Sequence, residues 1–325
     1  MSQPAVTVCV ATYRRPDRLA RLVQRLGCLD APPGGFDVVV VDDGSPEEDG
    51  VTEVLEHGAH SLGDAGIRMR FARQASNRGP GAARNVAWRM AEGEWVAFTD
   101  DDCVPERDWL VELIGEARRA RADVVVGRTL PDPGRAHLLG EPFARSVRVE
   151  SMTGYFHTCN ILYRRSLVEC LGGFDEEFRL IGDDTDLGWR AEEAGARAVF
   201  ASSAVVTHDV VVGTWRSDRA SRRRWADVVR VIAKHPGARR LAWRPYVYRH
   251  THLPILALGA LSPLVLGGPR GRTVFAGALG ALVLSDALRA GSPAAGLARI
   301  QGRISDGYEV AQLLRASWRE RTLVL

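Results

Sequence analysis

The sequence predicts an α/β fold: a mostly parallel central sheet flanked by helices, followed by a helical, apolar C-terminal region. Two observations predict it. Over the first hundred residues, short runs rich in β-branched residues alternate with stretches of helical spacing, and this alternation indicates βαβ units. After Trp215 the composition becomes basic, and after Thr251 it becomes strongly apolar. We therefore predict two regions, residues 1–215 and 216–325.

Each element has its own local signal. Residues 6–11 form an apolar run, which predicts a buried strand. Pro16 then opens a helix in which apolar residues recur at i, i+3, i+4 and i+7, and Gly27 ends it. The same reasoning predicts further strands at 36–41, 68–73, 94–99, 123–127 and 199–206, and helices at 46–57, 80–93, 107–121 and 183–194. Residues 128–158 carry no clear pattern.

The bulk composition narrows the class of protein. The 325 residues are 46% hydrophobic and carry a net charge of only +3, which excludes a polycation and predicts no nucleic-acid partner. The five cysteines form no Cys-x-x-Cys pair, and an odd number without metal spacing favours a reducing compartment. No signal-peptide pattern opens the chain. We therefore expect a cytoplasmic protein.

Three adjacent carboxylates, Asp100, Asp101 and Asp102, directly follow a predicted buried strand. They repel one another, so the triplet is costly without a counter-charge. A hard cation such as Mg²⁺ relieves this cost, with substrate phosphates completing its shell. In an extended segment Asp100 and Asp102 point the same way, so this pair can hold one cation. The alternative is a solvated acidic loop, but the position at a strand end favours metal.

Two further segments carry polar candidates. Asp42 and Asp43 end another strand. They either bind a nucleobase or a ribose hydroxyl, or they form a turn, since Asp-Gly-Ser is strong turn chemistry. The glycines of segment 77–85 lie at a helix start, where free N–H groups suit an anion. Arg84 in the same segment can bind phosphate or ribose.

A second acidic group, Asp183, Asp184 and Asp186, opens the helix predicted at 183–194. A carboxylate near a metal–phosphate site can act as the general base for a hydroxyl. Alternatively, the acids only stabilise the helix N-terminus. His208 follows a strand and is either a metal ligand or a structural histidine.

Together these segments resemble the inverting GT-A glycosyltransferases of family 2. The matching segments span a little over half of the chain, at 6–18, 38–45, 77–85, 94–105, 160–174 and 182–190. The resemblance implies a GT-A fold. It also implies Mg²⁺ or Mn²⁺ and inverting transfer of a sugar from a nucleotide-diphosphate donor, UDP-sugar by default, to a hydroxyl acceptor. The Gln-x-x-Arg-Trp motif of processive synthases is reduced to Arg223-Arg224-Trp225, which argues against polymerisation.

The resemblance implies roles by position. Asp184 matches the catalytic base, and Asp183 stands where the family usually has Glu. Metal contacts are expected at Asp100, Asp102 and His208. Donor contacts are expected at Ala11, Tyr13, Arg14, Asp42, Asp43, Arg84, Asp100 and Asp101. The acceptor side is expected at Gly173, Phe174, Asp183, Asp186 and Trp189.

The C-terminal region bears on location. Apolar runs at 253–268 and 273–284 are each shorter than the ~20 residues that cross a bilayer. We therefore consider three interpretations of these runs: a shallow membrane hairpin, a helical pair packed on the first region, or an oligomer interface. Residues 216–249 carry 11 Lys or Arg against two Asp. This excess predicts contact with anionic lipid on the inner face of the cell membrane, with a solvated helical face as the alternative.

Two other functions fit less of the sequence. The first is a nucleotide-sugar-binding protein without catalysis, against which the intact acidic motifs argue. The second is a sugar nucleotidyltransferase, which usually carries a glycine-rich loop after its first strand; residues 12–16 contain no glycine. The acceptor of the favoured transferase is expected to be lipid-linked, part of the cell envelope, or a natural product.

Overall fold

A computed structural model describes residues 3–178, 180–257, 280, 281, 285 and 293–325. The strands are β1 (Val6–Thr12), β2 (Phe36–Asp42), β3 (Met69–Arg73), β4 (Trp95–Asp100), β5 (Cys103–Pro105), β6 (Val124–Pro131), β7 (Ala144–Arg145), β8 (Ile161–Arg164), β9 (Ala198–His208) and β10 (Val211–Val212). The helices are α1 (Pro16–Leu26), α2 (Val51–Asp64), α3 (Pro80–Met90), α4 (Trp109–Ala120), α5 (Arg165–Cys170), α6 (Asp183–Glu193), α7 (Trp215–Ser221), α8 (Ala226–Lys234) and α9 (Pro293–Glu320). Turns of 3₁₀ helix lie at Glu47–Asp49, Ala136–Gly140, Arg222–Trp225, Pro236–Leu241 and His250–His252.

Eight strands form one sheet in the order β3-β2-β1-β4-β8-β6-β9-β5. The first four strands of this order are all parallel to one another, as the alternating sequence pattern predicts. Strand β8 runs antiparallel to both β4 and β6, and β5 runs antiparallel to β9. The sheet is therefore parallel in its first half and mixed in its second.

The parallel strands are buried because helices cover them. Every residue of β2 is buried, and all but one of β1. Helix α1 turns Leu19, Leu22 and Leu26 into this core, which is the stripe that its helical spacing predicts. Burial on both faces explains why these strands are continuous apolar runs rather than alternating ones.

The predicted elements of the first half are confirmed, with shifts at their ends. The helix predicted at 46–57 begins later, because a 3₁₀ turn at Glu47–Asp49 and a left-handed Gly50 precede α2. Strands β5 and β8 were not predicted. Each is only three or four residues long, too short for a periodic signal.

The chain divides into two compact units. The first comprises Met1–His137 and Ser146–Val210, and the second comprises Leu138–Arg145 and Val211–Leu325. Within the second unit, α9 packs against α7 and α8. Its buried Glu309 accepts a hydrogen bond from Arg222 at 2.6 Å and pairs with Arg249 at 3.0 Å.

The predicted apolar runs at 253–268 and 273–284 lie almost wholly outside the described residues, so the three readings of them stay predictions. Among the helices that the structure describes, none is both long enough and apolar enough to span a bilayer.

Candidate active site

The acidic motifs meet at the carboxyl ends of the parallel strands. Strand register places Thr12 of β1 opposite Asp42 of β2, and Ala11 of β1 opposite Asp100 of β4. Two acidic segments far apart in sequence therefore flank the end of β1. This edge is where open α/β sheets bind ligands.

Asp42 and Asp43 shape the loops at this edge. Asp42 is buried and accepts hydrogen bonds from the backbone N–H and hydroxyl of Ser45, at 3.1 and 2.5 Å. This is the turn alternative of the sequence reading. Asp43 is also buried, and burial raises its pKa although backbone N–H groups partly offset the shift. The donor role of both residues stays a prediction.

The N–H groups before α3 are not free for an anion, so that prediction is wrong for two of them. The backbone N–H groups of Arg78 and Gly79 donate to the Asp43 carboxylate at 2.8 and 2.9 Å, and the Gln74 side chain donates to it at 2.9 Å. A carboxylate of the protein thus fills the place expected for a phosphate.

The end of β1 and the loop after it carry three of the predicted donor contacts. Ala11 is half-buried, and the Tyr13 side chain is 37% exposed. Arg14 adopts a left-handed backbone, with φ 56°, and its N–H donates to Ser45 Oγ at 2.8 Å. Its guanidinium pairs with Asp49. The nucleobase contact expected of Tyr13 stays a prediction.

Arg84 links two of the acidic motifs. Its guanidinium, 9% exposed, donates to Asp100 at 2.7 Å and to Asp183 at 2.8 Å. The two carboxylates raise the pKa of Arg84, although burial opposes them. Arg84 therefore fixes the end of β4 against the start of α6, and both its terminal nitrogens are engaged there.

The other two members of the triplet bind different arginines. Thr12 Oγ donates to Asp101 at 2.8 Å, and Arg15 contacts both Asp101 and Asp102, at 2.9 and 3.1 Å. The expected alternation of side chains is therefore wrong, because residues 101 and 102 form a turn rather than extended strand. Asp102 also lies 3.4 Å from Arg18.

Strand pairing brings His208 to Asp102. Register places His208 of β9 opposite Cys103 of β5, and the ladder continues with Asp209 N–H donating to the Asp102 carbonyl oxygen at 2.9 Å. The Nε2 atom of His208 then lies 3.4 Å from Asp102 Oδ1. A residue more than a hundred positions away in sequence thus faces the acidic triplet.

The arrangement of His208 fits a divalent cation. Its Nδ1 lies 2.9 Å from the Asp209 carbonyl oxygen, and because a carbonyl only accepts, Nδ1 carries the proton. In this tautomer the Nε2 atom faces an oxygen of the Asp102 carboxylate. Two acceptors at this spacing suit a cation between them, since two ligands at ~2.1 Å and a right angle lie ~3 Å apart. The neighbouring Cys103 thiol is buried, and burial raises its pKa.

Asp184 has one oxygen held and one oxygen open. Its Oδ1 accepts the Thr185 N–H at 2.7 Å and lies 3.2 Å from the Thr185 hydroxyl. Its Oδ2 lies 3.9 Å from His157 Nδ1, and the side chain is 19% exposed. Burial raises the pKa of Asp184 to about 6. The carboxylate is thus oriented, reachable and more basic than an ordinary aspartate.

His157 belongs to this site although the sequence did not reveal it. Its ring stacks on Tyr155 at a centroid distance of 5.5 Å. Burial lowers its pKa to about 4, so the ring is neutral at physiological pH. Residue 157 lies in the segment 128–158, which carries no periodic pattern, so no sequence signal pointed to it.

The residues predicted on the acceptor side form a tightly packed loop. The Asn85 side-chain amide donates to the Phe174 carbonyl oxygen and accepts the Phe174 backbone N–H, at 2.9 Å each. The Phe174 ring is buried and meets Phe98 edge to face at 5.1 Å. Gly173 has φ +80°, and a Cβ there would come within 2.4 Å of Asn85 Oδ1. This loop therefore needs glycine at position 173.

Three other predicted acceptor-side residues are buried. Asp186 is fully buried and pairs with Arg190 at 2.8 Å. Arg190 in turn donates to the carbonyl oxygens of Leu171 and Gly173, at 2.7 and 2.6 Å. Trp189 is buried, with its indole N–H donating to the Gly154 carbonyl at 3.1 Å. Asp183 is likewise buried against Arg84, and burial raises its pKa. These contacts support the loop from behind.

The sequence reasoning also missed the cations around the triplet. Arg15 and Arg18 lie on the first turn of α1 or just before it, and Arg135 pairs with Asp209 at 2.6 Å. Arg18 contacts the other oxygen of Asp209 at 2.8 Å. The three-residue spacing of Arg15 and Arg18 was the available signal, since it places both side chains on one side of the helix start.

Two family models match the chain. One described as "Glycosyl transferase family 2" matches residues 7–172, and one described as "Glycosyl transferase family group 2" matches residues 95–284. A pre-mycofactocin glycosyltransferase of Mycobacterium tuberculosis is 32% identical over 223 residues, which cover 63% of this chain and 42% of that protein. The chain thus spans less than half the length of this relative.

Solved structures share the fold. A mannosyltransferase, PcManGT from Pyrobaculum calidifontis in complex with GDP-Man and Mn²⁺, has a TM-score of 0.61 at 23% identity, covering 98% of this chain and 88% of that one. Residues 1–349 of S. aureus TarS in complex with UDP-GlcNAc have a TM-score of 0.55 at 19% identity, covering 98% and 92%. The predicted GT-A fold is confirmed by these likenesses. The chain belongs to glycosyl transferase family 2.

Proposed function

We propose that this chain is an inverting glycosyltransferase, which moves a sugar from a nucleoside-diphosphate donor to an acceptor hydroxyl with Asp184 as general base. The observation that carries the proposal is the state of the Asp184 carboxylate. One oxygen is fixed by Thr185, the other faces the site, and the pKa is raised to about 6. A general base works best when its pKa lies near the working pH.

The chemistry follows as one displacement. The acceptor hydroxyl donates a hydrogen bond to Asp184 Oδ2, and its oxygen attacks the anomeric carbon of the donor sugar. The bond from that carbon to the diphosphate breaks as the new bond forms, and the hydroxyl proton passes to Asp184. Because attack comes from the face opposite the leaving group, the anomeric centre inverts. No protein nucleophile takes part.

Asp102 and His208 are the residues that would hold Mg²⁺ or Mn²⁺, because their facing acceptor atoms fit a small cation. A cation bound there supplies positive charge to the departing nucleoside diphosphate. Arg15 and Arg18 already offset the negative charge of the triplet, and Arg84 holds Asp100 in place.

The donor class draws support from the structural neighbours, whose complexes contain GDP-Man and UDP-GlcNAc. A UDP-sugar is the default donor. The acceptor is proposed to be a hydroxyl compound, lipid-linked in the membrane, and the protein to bind the inner membrane surface peripherally. The basic composition of residues 216–249 supports this location.

The direct test measures release of nucleoside diphosphate from UDP-, GDP- and dTDP-sugars, with Mn²⁺ or Mg²⁺ and candidate acceptors. We expect Asp184→Asn to lower kcat by about 10²- to 10⁴-fold, the usual contribution of a general base. Asp64→Asn, at an exposed acid on α2, is the matched control and should keep full activity. Full activity in Asp184→Asn would refute the base assignment. Donor binding without transfer or hydrolysis would favour a silent binding protein. Pyrophosphate release from sugar phosphate and NTP would favour a nucleotidyltransferase.

The metal assignment can be tested separately, in the protein without donor or acceptor. Titration calorimetry with Mn²⁺ should show affinity weakened at least about tenfold in His208→Ala, since even residues behind the ligands contribute this much. The control is His57→Ala, an exposed histidine on α2. Equal Mn²⁺ affinity in the two variants would refute the assignment of His208 as a metal ligand.

A further inference from the structure

Among the exposed apolar side chains in the described part of the second unit, two lie in the turn region 243–246 and two lie in residues 318–323. They are Trp318, 89% exposed, Tyr246, 56%, Leu323, 48%, and Trp243, 46%. We call these four residues the C-terminal aromatic patch. Single exposed apolar residues are ordinary on protein surfaces, whereas a group of them marks an interaction site.

Hydrogen bonds bring the segments that carry these residues next to one another. Leu325 N–H donates to the Tyr246 carbonyl at 2.8 Å, which lays the tail of the chain beside the turn 244–247. Ser317 Oγ donates to the Val324 carbonyl at 2.9 Å and accepts the Val324 N–H at 3.0 Å, which folds the tail back onto the end of α9. The tail thus joins the turn that carries Tyr246 to the helix end that carries Trp318.

Arginines surround the patch. Arg244 lies over the Trp243 ring at 5.0 Å from its centroid, and Arg239 lies over the Tyr246 ring at 5.2 Å. Arg319 and Arg321 lie one and three positions after Trp318, and Arg319 pairs with Glu320 at 2.7 Å. Arg222 and Arg249, by contrast, are engaged with the buried Glu309. The rim of the patch is therefore cationic.

We propose that the C-terminal aromatic patch binds the surface of a membrane that contains anionic lipid. Trp and Tyr have an apolar body and a polar edge, so they favour the boundary between hydrocarbon and water. Arginines can lay their stems on apolar surface while the guanidinium meets lipid phosphate. The two features together match an anionic membrane in both polarity and charge. This inference rests on the membrane association proposed above and names the surface that carries it.

The test is flotation of the purified full chain with phosphatidylcholine vesicles, with and without phosphatidylglycerol. We expect binding to the anionic vesicles that weakens with added salt. Trp318→Ser should weaken it about tenfold, a loss of about 1.4 kcal/mol. Arg244→Gln and Arg321→Gln should weaken it about fivefold each. Phe71→Ser, at an exposed ring of β3, is the control and should bind like the unmodified chain.

Each outcome bears on the inference. Because all substituted side chains are exposed, circular dichroism should show an unchanged fold. Failure of the unmodified chain to bind anionic vesicles overturns the proposal, as does binding of Trp318→Ser, Arg244→Gln and Arg321→Gln at the level of the unmodified chain. Binding only to an acidic protein would also overturn it. Transfer to a soluble acceptor is measured in parallel. If vesicle binding depends on the patch while no sugar is transferred, the proposed enzymatic function fails and the patch assignment stands.

Discussion

Replacing Arg84 by Met tests the link between the two acidic motifs. In the folded chain Arg84 is 9% exposed and holds Asp100 at 2.7 Å and Asp183 at 2.8 Å, with Asp183 only 4% exposed. Removing one partner of a buried ion pair leaves the other charge uncompensated, which costs about 3–5 kcal/mol. We expect Arg84→Met to lower the free energy of unfolding by this amount near neutral pH.

The loss should depend on pH in a defined direction. Burial already raises the pKa of Asp183, and Arg84 is the chief group that lowers it. Without Arg84 the folded-state pKa rises further above the unfolded value of about 3.9, so ionised Asp183 opposes folding. The destabilisation should be largest at about pH 8 and shrink towards about pH 5, where the folded chain takes up the proton.

Urea unfolding followed by circular dichroism measures both effects. Arg107→Met is the matched control, because this exposed arginine pairs with the exposed Asp30, and its removal should leave unfolding unchanged. A loss below about 1 kcal/mol, the value of a surface pair, would show that Arg84 is not a buried link. A loss that does not change with pH would refute the part assigned to Asp183.

Two further predictions concern the base and the acceptor loop. For Asp184, whose pKa is raised to about 6, kcat/KM should fall about tenfold per pH unit below that value, because only the carboxylate accepts the proton; a flat profile down to about pH 5 contradicts the assignment. Gly173→Ala should cost about 3 kcal/mol in thermal or urea unfolding, combining left-handed strain with a clash at 2.4 Å against Asn85 Oδ1. Gly172→Ala has φ +76° but open space, so it should show only the strain of about 1–2 kcal/mol; equal losses in the two variants would exclude the clash.

The periodic first half of the fold was predictable because it depends on local pattern. Apolar runs followed by amphipathic stretches predicted β1, α1 and β2 within a residue or two. Strand β8 has four residues and pairs antiparallel on both sides. Neither property produces a pattern in the local sequence, so the position of β8 in the sheet could not be predicted.

The sequence allowed the residues of the candidate site to be predicted better than the contacts that they make. The acidic motifs were found because carboxylates after strands are unusual, but their partners are set by the fold. Arg84 was expected at phosphate or ribose, and the sequence did not reveal that its guanidinium binds Asp100 and Asp183. Arg78 and Gly79 direct their N–H groups to Asp43. These pairings join residues more than 15 positions apart, and only the folded sheet brings them together.

The pairing of β5 with β9 makes the site sensitive to a shift of one residue. Cys103 lies opposite His208, and this alignment alone brings Nε2 to Asp102. A slip by one position would place Thr207 or Asp209 there and turn the imidazole to the opposite face of the sheet, because side chains alternate along a strand. A single inserted residue between 198 and 207 would therefore act like loss of the histidine itself, although every residue of the site would still be present in the chain.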